Sequence, residues 1–278
     1  MRVAGIVVYN PDIDRLQKNI DAVSSQIDFL FLYQNSNVGD SIRFDNSKTQ
    51  LLNDGNNKGI ATGLNAIMQA ASEKGADWCL LLDQDSVVSE GYVDVMEQHT
   101  SLNKASILTP RVTDVNGNED ESYENPVDEV RMCITSGSYN SVSAWKKAGR
   151  FIDEFFIDYV DWEYCARVRS KDYKVYRINE LALSHELGKR TYHSFLGKRL
   201  YTFNHSAFRK YYITRNTIVT YRLYPKEREL QHPYLRTLKR LLITLLYEKE
   251  KANKMKAILR GVRDSGKLYH QLRDIERN

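Results

Sequence analysis

The 278 residues predict an α/β domain on a mostly parallel central sheet, followed by a helical extension. Three observations predict it. Strand-like and helix-like stretches alternate through the first half, each strand stopping at a polar loop, which is the pattern of parallel strands joined by crossover helices. The run Leu80-Leu81-Leu82-Asp83-Gln84-Asp85-Ser86 carries a buried apolar strand straight into two carboxylates one residue apart. Residues 1–185 hold 18 Lys+Arg against 28 Asp+Glu and residues 186–278 hold 22 against 8, so the net charge turns from −10 to +14 along the chain.

The elements follow in order. Val3 to Val8 is a β-branched apolar run closed by Tyr9-Asn10-Pro11, and Ile13, Leu16, Ile20 and Val23 then recur at helical spacing. Phe29 to Leu32 is a strand ending in Gln34-Asn35-Ser36-Asn37, and Leu51-Leu52 leads into the turn-rich Asn53-Asp54-Gly55-Asn56-Asn57-Lys58-Gly59. Ile60 to Ser72 reads as an alanine-rich helix and Trp78 to Leu82 as a buried strand. Ile107 to Val112 and Met132 to Thr135 predict further strands. A turn at Ser136-Gly137-Ser138 precedes a strand over Tyr139 to Val142, and a helix over Asp161 to Lys171 precedes a short strand over Lys174 to Ile178. Beyond His185 the signals are mostly helical, with Leu235, Leu238, Leu241, Leu242, Leu245 and Leu246 on one face.

Composition narrows the class. With 42% hydrophobic residues the chain can bury a large core. No stretch nears the roughly 18 to 20 apolar residues of a membrane span, and the N-terminus lacks the pattern of a signal peptide, so the chain reads as cytoplasmic. Cys79, Cys133 and Cys165 are odd in number, far apart in sequence and set in apolar segments, which suggests buried thiols, with neither a disulfide framework nor a zinc site. The basic C-terminal part could face nucleic acid, anionic lipid or a phosphorylated substrate, and no nucleic-acid motif supports the first.

In a parallel sheet, ligands bind where strands end, and Tyr9-Asn10, Gln34-Asn35 and Asp83-Asp85 gather there. Two carboxylates at one strand end suit a divalent cation that holds a diphosphate. Gly59 and Gly63 allow close backbone approach at a helix start, a region that could also attract phosphate. Asp158, Asp161 and Glu163 form a second carboxylate cluster.

Four segments in order resemble the family-2 inverting glycosyltransferases of GT-A fold: the Tyr-Asn-Pro strand end, Asn-Asn-Lys-Gly-Ile-Ala-Thr-Gly-Leu-Asn, Leu-Leu-Leu-Asp-Gln-Asp-Ser, and Phe-Ile-Asp-Tyr-Val-Asp-Trp-Glu-Tyr-Cys-Ala-Arg. Within that family the chain is most similar to bacterial rhamnosyltransferases. The resemblance covers residues 1–220 as a catalytic domain and leaves 221–278 as a basic helical extension. It implies a nucleotide-sugar donor, dTDP-rhamnose or a UDP-sugar, with Tyr9, Asn10, Asp54, Asn57, Gly59 and Asp83 on the nucleotide. It places Asp85 and His185 at an Mg2+ or Mn2+ ion and Asp161 as the base that deprotonates the acceptor. The family motif has Glu before that Asp where this chain has Val160; Glu163 is the fallback base. Arg167 and Arg215 are candidates for the acceptor or the diphosphate, with Arg215 preferred to Arg209.

The resemblance further implies a glycan acceptor on polyprenyl diphosphate, in cell-surface polysaccharide synthesis, and work at the inner face of the plasma membrane. The leucine face could lie in that interface, or pack on the catalytic domain or on a second subunit of a homodimer; leucines at this spacing are usually core. A nucleotidyltransferase is the first rival class, but it would carry a glycine-rich basic loop where Tyr9-Asn10-Pro11-Asp12 stands. The second is a non-catalytic sugar-nucleotide-binding module, against which both carboxylate motifs argue.

Overall fold

The computed structural model describes residues 1–38, 41–53, 55–114, 125–185, 191–195, 198–227, 229 and 231–277. It divides into two compact units, the first formed by Met1–Phe156 with Val160–Glu186, the second by Ile157–Tyr159 with Leu187–Asn278. The sequence reading draws its boundary at 220/221, and the described residues of 191–220 fall in the second unit.

The first unit contains β1 (Val3–Val8), α1 (Ile13–Ser24), β2 (Phe29–Gln34), β3 (Thr49–Leu52), α2 (Ile60–Glu73), β4 (Trp78–Asp83), α3 (Tyr92–Gln98) and β5 (Ala105–Asp114). It continues with β6 (Val127–Val130), β7 (Ser138–Ser141), α4 (Val142–Ala148), a 3-10 turn at Asp153–Phe155, α5 (Val160–Ser170) and β8 (Lys174–His185). The sheet order is β3-β2-β1-β4-β7-β5-β8-β6, with β6 and β7 antiparallel to their neighbours and the other pairings parallel.

Strand β1 is buried on both faces, as parallel strands are. Ala4, Ile6 and Val8 share a core with Leu16, Ile20 and Val23 of α1, while Gly5 and Val7 face α2. A Cβ on Gly5 would lie 2.1 Å from Ile67 Cγ2, and one on Gly63 would lie 2.8 Å from Tyr33, so both glycines let α2 sit close on the sheet. Register then decides where the strands end. Val3 pairs with both Phe29 and Cys79, which brings Val8, Gln34 and Asp83 to the same edge.

Two strand expectations are corrected here. Met132 to Thr135 is not a strand; the chain there is irregular and feeds the turn at Ser136-Gly137. The strand in that region is β6, whose Val-Asp-Glu-Val sequence is that of a charged edge, Asp128 and Glu129 pairing with Arg177 and Lys174 of β8 at 2.8 and 2.6 Å. Strand β8 runs past Ile178 because a bulge at Pro110/Arg111 takes up Asn179 to Leu181 and pairing with β5 resumes at Ala182.

The second unit contains a hairpin of β9 (Thr191–Phe195) and β10 (Lys198–Thr202), followed by α6 (Ala207–Leu223), α7 (Pro233–Tyr247) and α8 (Lys251–Arg277). The hairpin corrects the mostly helical expectation beyond His185. Helix α8 crosses α6 closely at Gly261, where a Cβ would lie 2.7 Å from the Tyr211 carbonyl oxygen. The left-handed residues Asp158 and Tyr159 are held in this unit: Asn216, wholly buried on α6, donates to the carbonyls of Ile157 and Asp158 at 3.0 and 2.8 Å, and Arg209 Nε reaches the Asp158 carboxylate at 3.1 Å.

His205 stacks on Phe203, and burial, reinforced by the Arg209 cation, pulls its imidazole from 6.5 down to about 4. It therefore stays neutral in the fold at pH values where it charges in the unfolded chain. The sign follows: its contribution is complete above about pH 6.5 and is lost as pH falls toward 4. Between pH 7 and pH 5 the wild type is predicted to lose about 1 kcal/mol more than a His205→Gln variant, the full shift being discounted because the ring keeps part of its solvent contact. Hydrogen exchange in α6 at the two pH values checks this, and equal losses would count against the burial of a neutral ring.

Candidate active site

The carboxyl edge of the sheet is built by side chains that tie one strand end to the next. Gln84, just past β4, accepts the Tyr9 N–H through Oε1 at 2.7 Å, and the Asn10 N–H donates to Ser36 Oγ at 2.7 Å. Tyr9 itself is half-exposed at the mouth of this edge. The Asp83-Gln84-Asp85 turn is fixed from below by α1, where Asn19 Nδ2 donates to the Asp83 carbonyl and Arg15 Nε to the Asp85 carbonyl, both at 2.8 Å. Ser136, buried, accepts the Asp83 N–H at 3.0 Å and donates to Ser86 at 2.6 Å. The backbone of the turn is thus anchored on both sides, while both carboxylates are partly exposed at the edge.

Asn35, only 4% exposed, clamps the next loop: its Nδ2 donates to the Gly59 carbonyl at 3.1 Å and its Oδ1 accepts the Lys58 N–H at 2.9 Å. Asn57 turns its carboxamide inward to accept the Gly59 N–H at 3.0 Å. Gly59 has φ +88°, and the space a Cβ would take is filled by the Phe156 ring at 2.6 Å. Its glycine requirement therefore comes from backbone conformation and protein packing. Asp54 lies outside the described residues, and so does the side chain of His185, whose backbone ends β8.

Asp161 stands in the first turn of α5, half-buried, with Oδ1 accepting the Trp162 N–H at 2.8 Å. The chain reaches it through Phe156, Asp158 and Tyr159, all at positive φ near +60°, a conformation that non-glycine residues hold only where the surroundings demand it. Asp161 borders a narrow crevice lined by Cys133, Thr135, Ser138, Tyr164 and Cys165. Cys133 and Cys165 are not far apart in space: their sulfurs are 3.5 Å apart, both thiols are free, and the contact together with burial holds the Cys133 thiol far above its ordinary pKa. Cys133 therefore stays a thiol.

Glu163 and Arg167 are one turn apart on α5 and join at two points, Nε to Oε1 at 2.9 Å and Nη2 to Oε2 at 2.7 Å, with both residues buried. A buried carboxylate needs such a partner, and this pair removes Glu163 as a fallback base and occupies the guanidinium offered to the acceptor or diphosphate. Arg215, in the second unit, is likewise buried, donating to Asn216 Oδ1 at 3.0 Å and stacking on Tyr211 and Tyr212. Arg209, ranked below it from sequence, binds the Asp158 carboxylate.

A cleft of about 570 Å3 lined by Met1, Asp77, Trp78 and Glu97 opens at the amino end of β4, the sheet edge opposite the carboxylates. Among the described residues, no three His, Cys, Asp or Glu side chains converge on one metal position. No described helix is long and apolar enough to cross a membrane.

Comparison with solved structures defines the fold. The structure of S. aureus TarS 1-349 superposes with a TM-score of 0.60 at 13% identity, covering 95% of this chain and 81% of that one. GalNAc-T7, solved with UDP, GalNAc and Mn2+, superposes with a TM-score of 0.61 at 10% identity, covering 96% of this chain and 54% of that one. The fold is that of the GT-A glycosyltransferases. The sequence relative is more particular: a dTDP-rhamnosyl transferase, RfbF of Shigella flexneri, is 26% identical over 242 residues, 79% of each chain. The likeness to bacterial rhamnosyltransferases that the motifs implied is borne out. No family model matches the chain.

Proposed function

We propose that this protein transfers a sugar, rhamnose from dTDP-rhamnose, onto a glycan acceptor carried on polyprenyl diphosphate, with inversion at the anomeric carbon. The observation that carries the proposal is the anchored edge where Tyr9, Asn10, Asp83 and Asp85 stand together, in a chain similar to a dTDP-rhamnosyl transferase. Tyr9 offers an exposed ring for a pyrimidine to stack on, and Asn10 a carboxamide to read its edge. Asp83 is assigned to the ribose and base side of the nucleotide.

In the reaction, Asp161 takes the proton of the acceptor hydroxyl as its oxygen attacks the anomeric carbon. The new glycosidic bond forms on the face opposite the donor, the bond to the diphosphate breaks, and dTDP leaves with the electron pair. A divalent ion fits the donor set: Asp85 is one partly exposed hard-oxygen ligand on a rigid turn, and Mg2+ typically takes one or two carboxylates and completes its shell with substrate phosphates and water. When bound, Mg2+ or Mn2+ would neutralise charge building on the diphosphate. TarS has been solved with UDP-GlcNAc (TM-score 0.56, 11% identity, 95% of this chain and 81% of that one), which keeps a UDP-sugar as the second donor reading.

Replacing Asp85 by Ala is predicted to weaken dTDP binding at least about tenfold in Mg2+ while leaving binding in EDTA unchanged. Equal affinities for wild type and variant in Mg2+ would remove Asp85 from the donor site.

A further inference from the structure

The leucine stripe of α7 points the opposite way from the usual amphipathic helix. Leu235, Leu238, Leu242, Leu245 and Leu246 are 64%, 53%, 51%, 46% and 53% exposed, and Tyr234 on the same face is 57% exposed. The face turned into the second unit consists of Pro233, Thr237 and Thr244, with Thr237 Oγ1 donating to the Pro233 carbonyl at 2.8 Å. Arg240 adds a contact to Thr214 of α6 at 3.2 Å. At 3.6 residues per turn the six apolar side chains fall within about a third of the helix circumference, over a length of about 18 Å. That length is too short to cross a bilayer and suits a helix lying in its surface.

Charge selects the occupant. Helix α7 contains no Asp or Glu, exposed Lys239 borders the apolar face with Arg236 further round the same side, its guanidinium donating to the Glu229 carbonyl at 2.6 Å, and exposed Lys249 and Lys251 follow its end on either side of Glu250. Residues 186–278 carry a net +14. A two-fold pairing of this face with a second copy would bring the flanking cations of both copies together, whereas an anionic lipid surface complements them.

We infer that the α7 leucine face docks on an anionic phospholipid surface, its leucines entering the acyl boundary and Arg236 and Lys239 meeting the headgroups. The inference goes beyond the proposed reaction, and its test reads binding without turnover, so failure of either is seen separately.

The experiment is flotation of the full chain with phosphatidylglycerol/phosphatidylcholine vesicles and with phosphatidylcholine vesicles alone, comparing wild type with L238Q/L242Q/L245Q and R236Q/K239Q. Glutamine preserves helix propensity, and the replaced side chains are exposed, so the melting temperatures should match. The wild type should float with the anionic vesicles. The leucine variant should lose at least about tenfold in partition coefficient, and the cation variant should lose its preference for anionic over neutral lipid. The inference is overturned by a wild type that does not float, or by a leucine variant that floats as well as the wild type. A dimer in light scattering that the leucine variant dissolves would also overturn it, since a second copy would then cover the face.

Discussion

Replacing Asp161 by Asn is predicted to lower kcat at least about a hundredfold, and up to about ten-thousandfold, while leaving dTDP affinity in Mg2+ within about twofold of wild type. Asparagine keeps the size of the side chain and an oxygen for the Trp162 N–H, so the start of α5 is preserved. What is lost is the basic carboxylate, the only change the acceptor hydroxyl would feel. Glu163 cannot substitute, because both its oxygens are bound to buried Arg167. Single-turnover transfer with calorimetry on the same sample separates the two effects. Normal turnover by the variant would remove Asp161 as the base, and loss of nucleotide binding together with turnover would assign it a structural role.

The second large effect lies in the other unit. Glu248, at the end of α7 and 4% exposed, bridges two buried ammonium groups: Lys210 of α6, and Lys254 of α8 at 3.2 Å. Lys254 is also held by Asn204 Oδ1 at 2.6 Å. Burial pulls the Lys210 ammonium below its ordinary pKa, and Glu248 opposes that pull. Glu248→Ala would leave two cations in the interior with no carboxylate, at a cost of about 3 to 5 kcal/mol. All three tryptophans lie at 78, 145 and 162, in the first unit, so indole fluorescence does not report directly on this cluster. Hydrogen exchange of the α6 and α8 amides does. Protection within about 1 kcal/mol of wild type would show that the cluster is hydrated and weak. Replacing all three residues together, K210M/E248L/K254M, should restore most of the loss, because apolar side chains need no counter-charge.

The sequence was legible where apolar period and polar ends coincide. Strands β1, β2 and β4 and helices α1 and α2 fall where their periods place them, because a strand buried on both faces reads as an unbroken apolar run. The edge strand β6 was hidden by Asp128 and Glu129, and the far half of β8 by a bulge over Asn179 and Glu180, since both replace the apolar signal with polar or charged side chains.

Asp83, Asp85 and Asp161 are proposed from their motifs, and the residues that hydrogen-bond around the Asp83-Gln84-Asp85 turn and its neighbouring loop could not be read the same way. Arg15 and Asn19 act across 70 and 64 residues, Ser136 across 53 and Asn35 across 24, and no local pattern announces a hydrogen bond made at that separation. For α7 the spacing located the helix and not its inward face. Five leucines at that period ordinarily mean core, and here threonines face in.

A dTDP-sugar site at the carboxyl edge of the sheet is tested by calorimetric titration of the full chain with dTDP, UDP, ADP and GDP, each with and without Mg2+. dTDP is expected to bind most tightly, and Mg2+ to strengthen it at least about tenfold. Tightest binding of UDP would keep the site and change the donor. Absence of binding by any of the four nucleotides would contradict the proposed site and leave a GT-A fold without a donor.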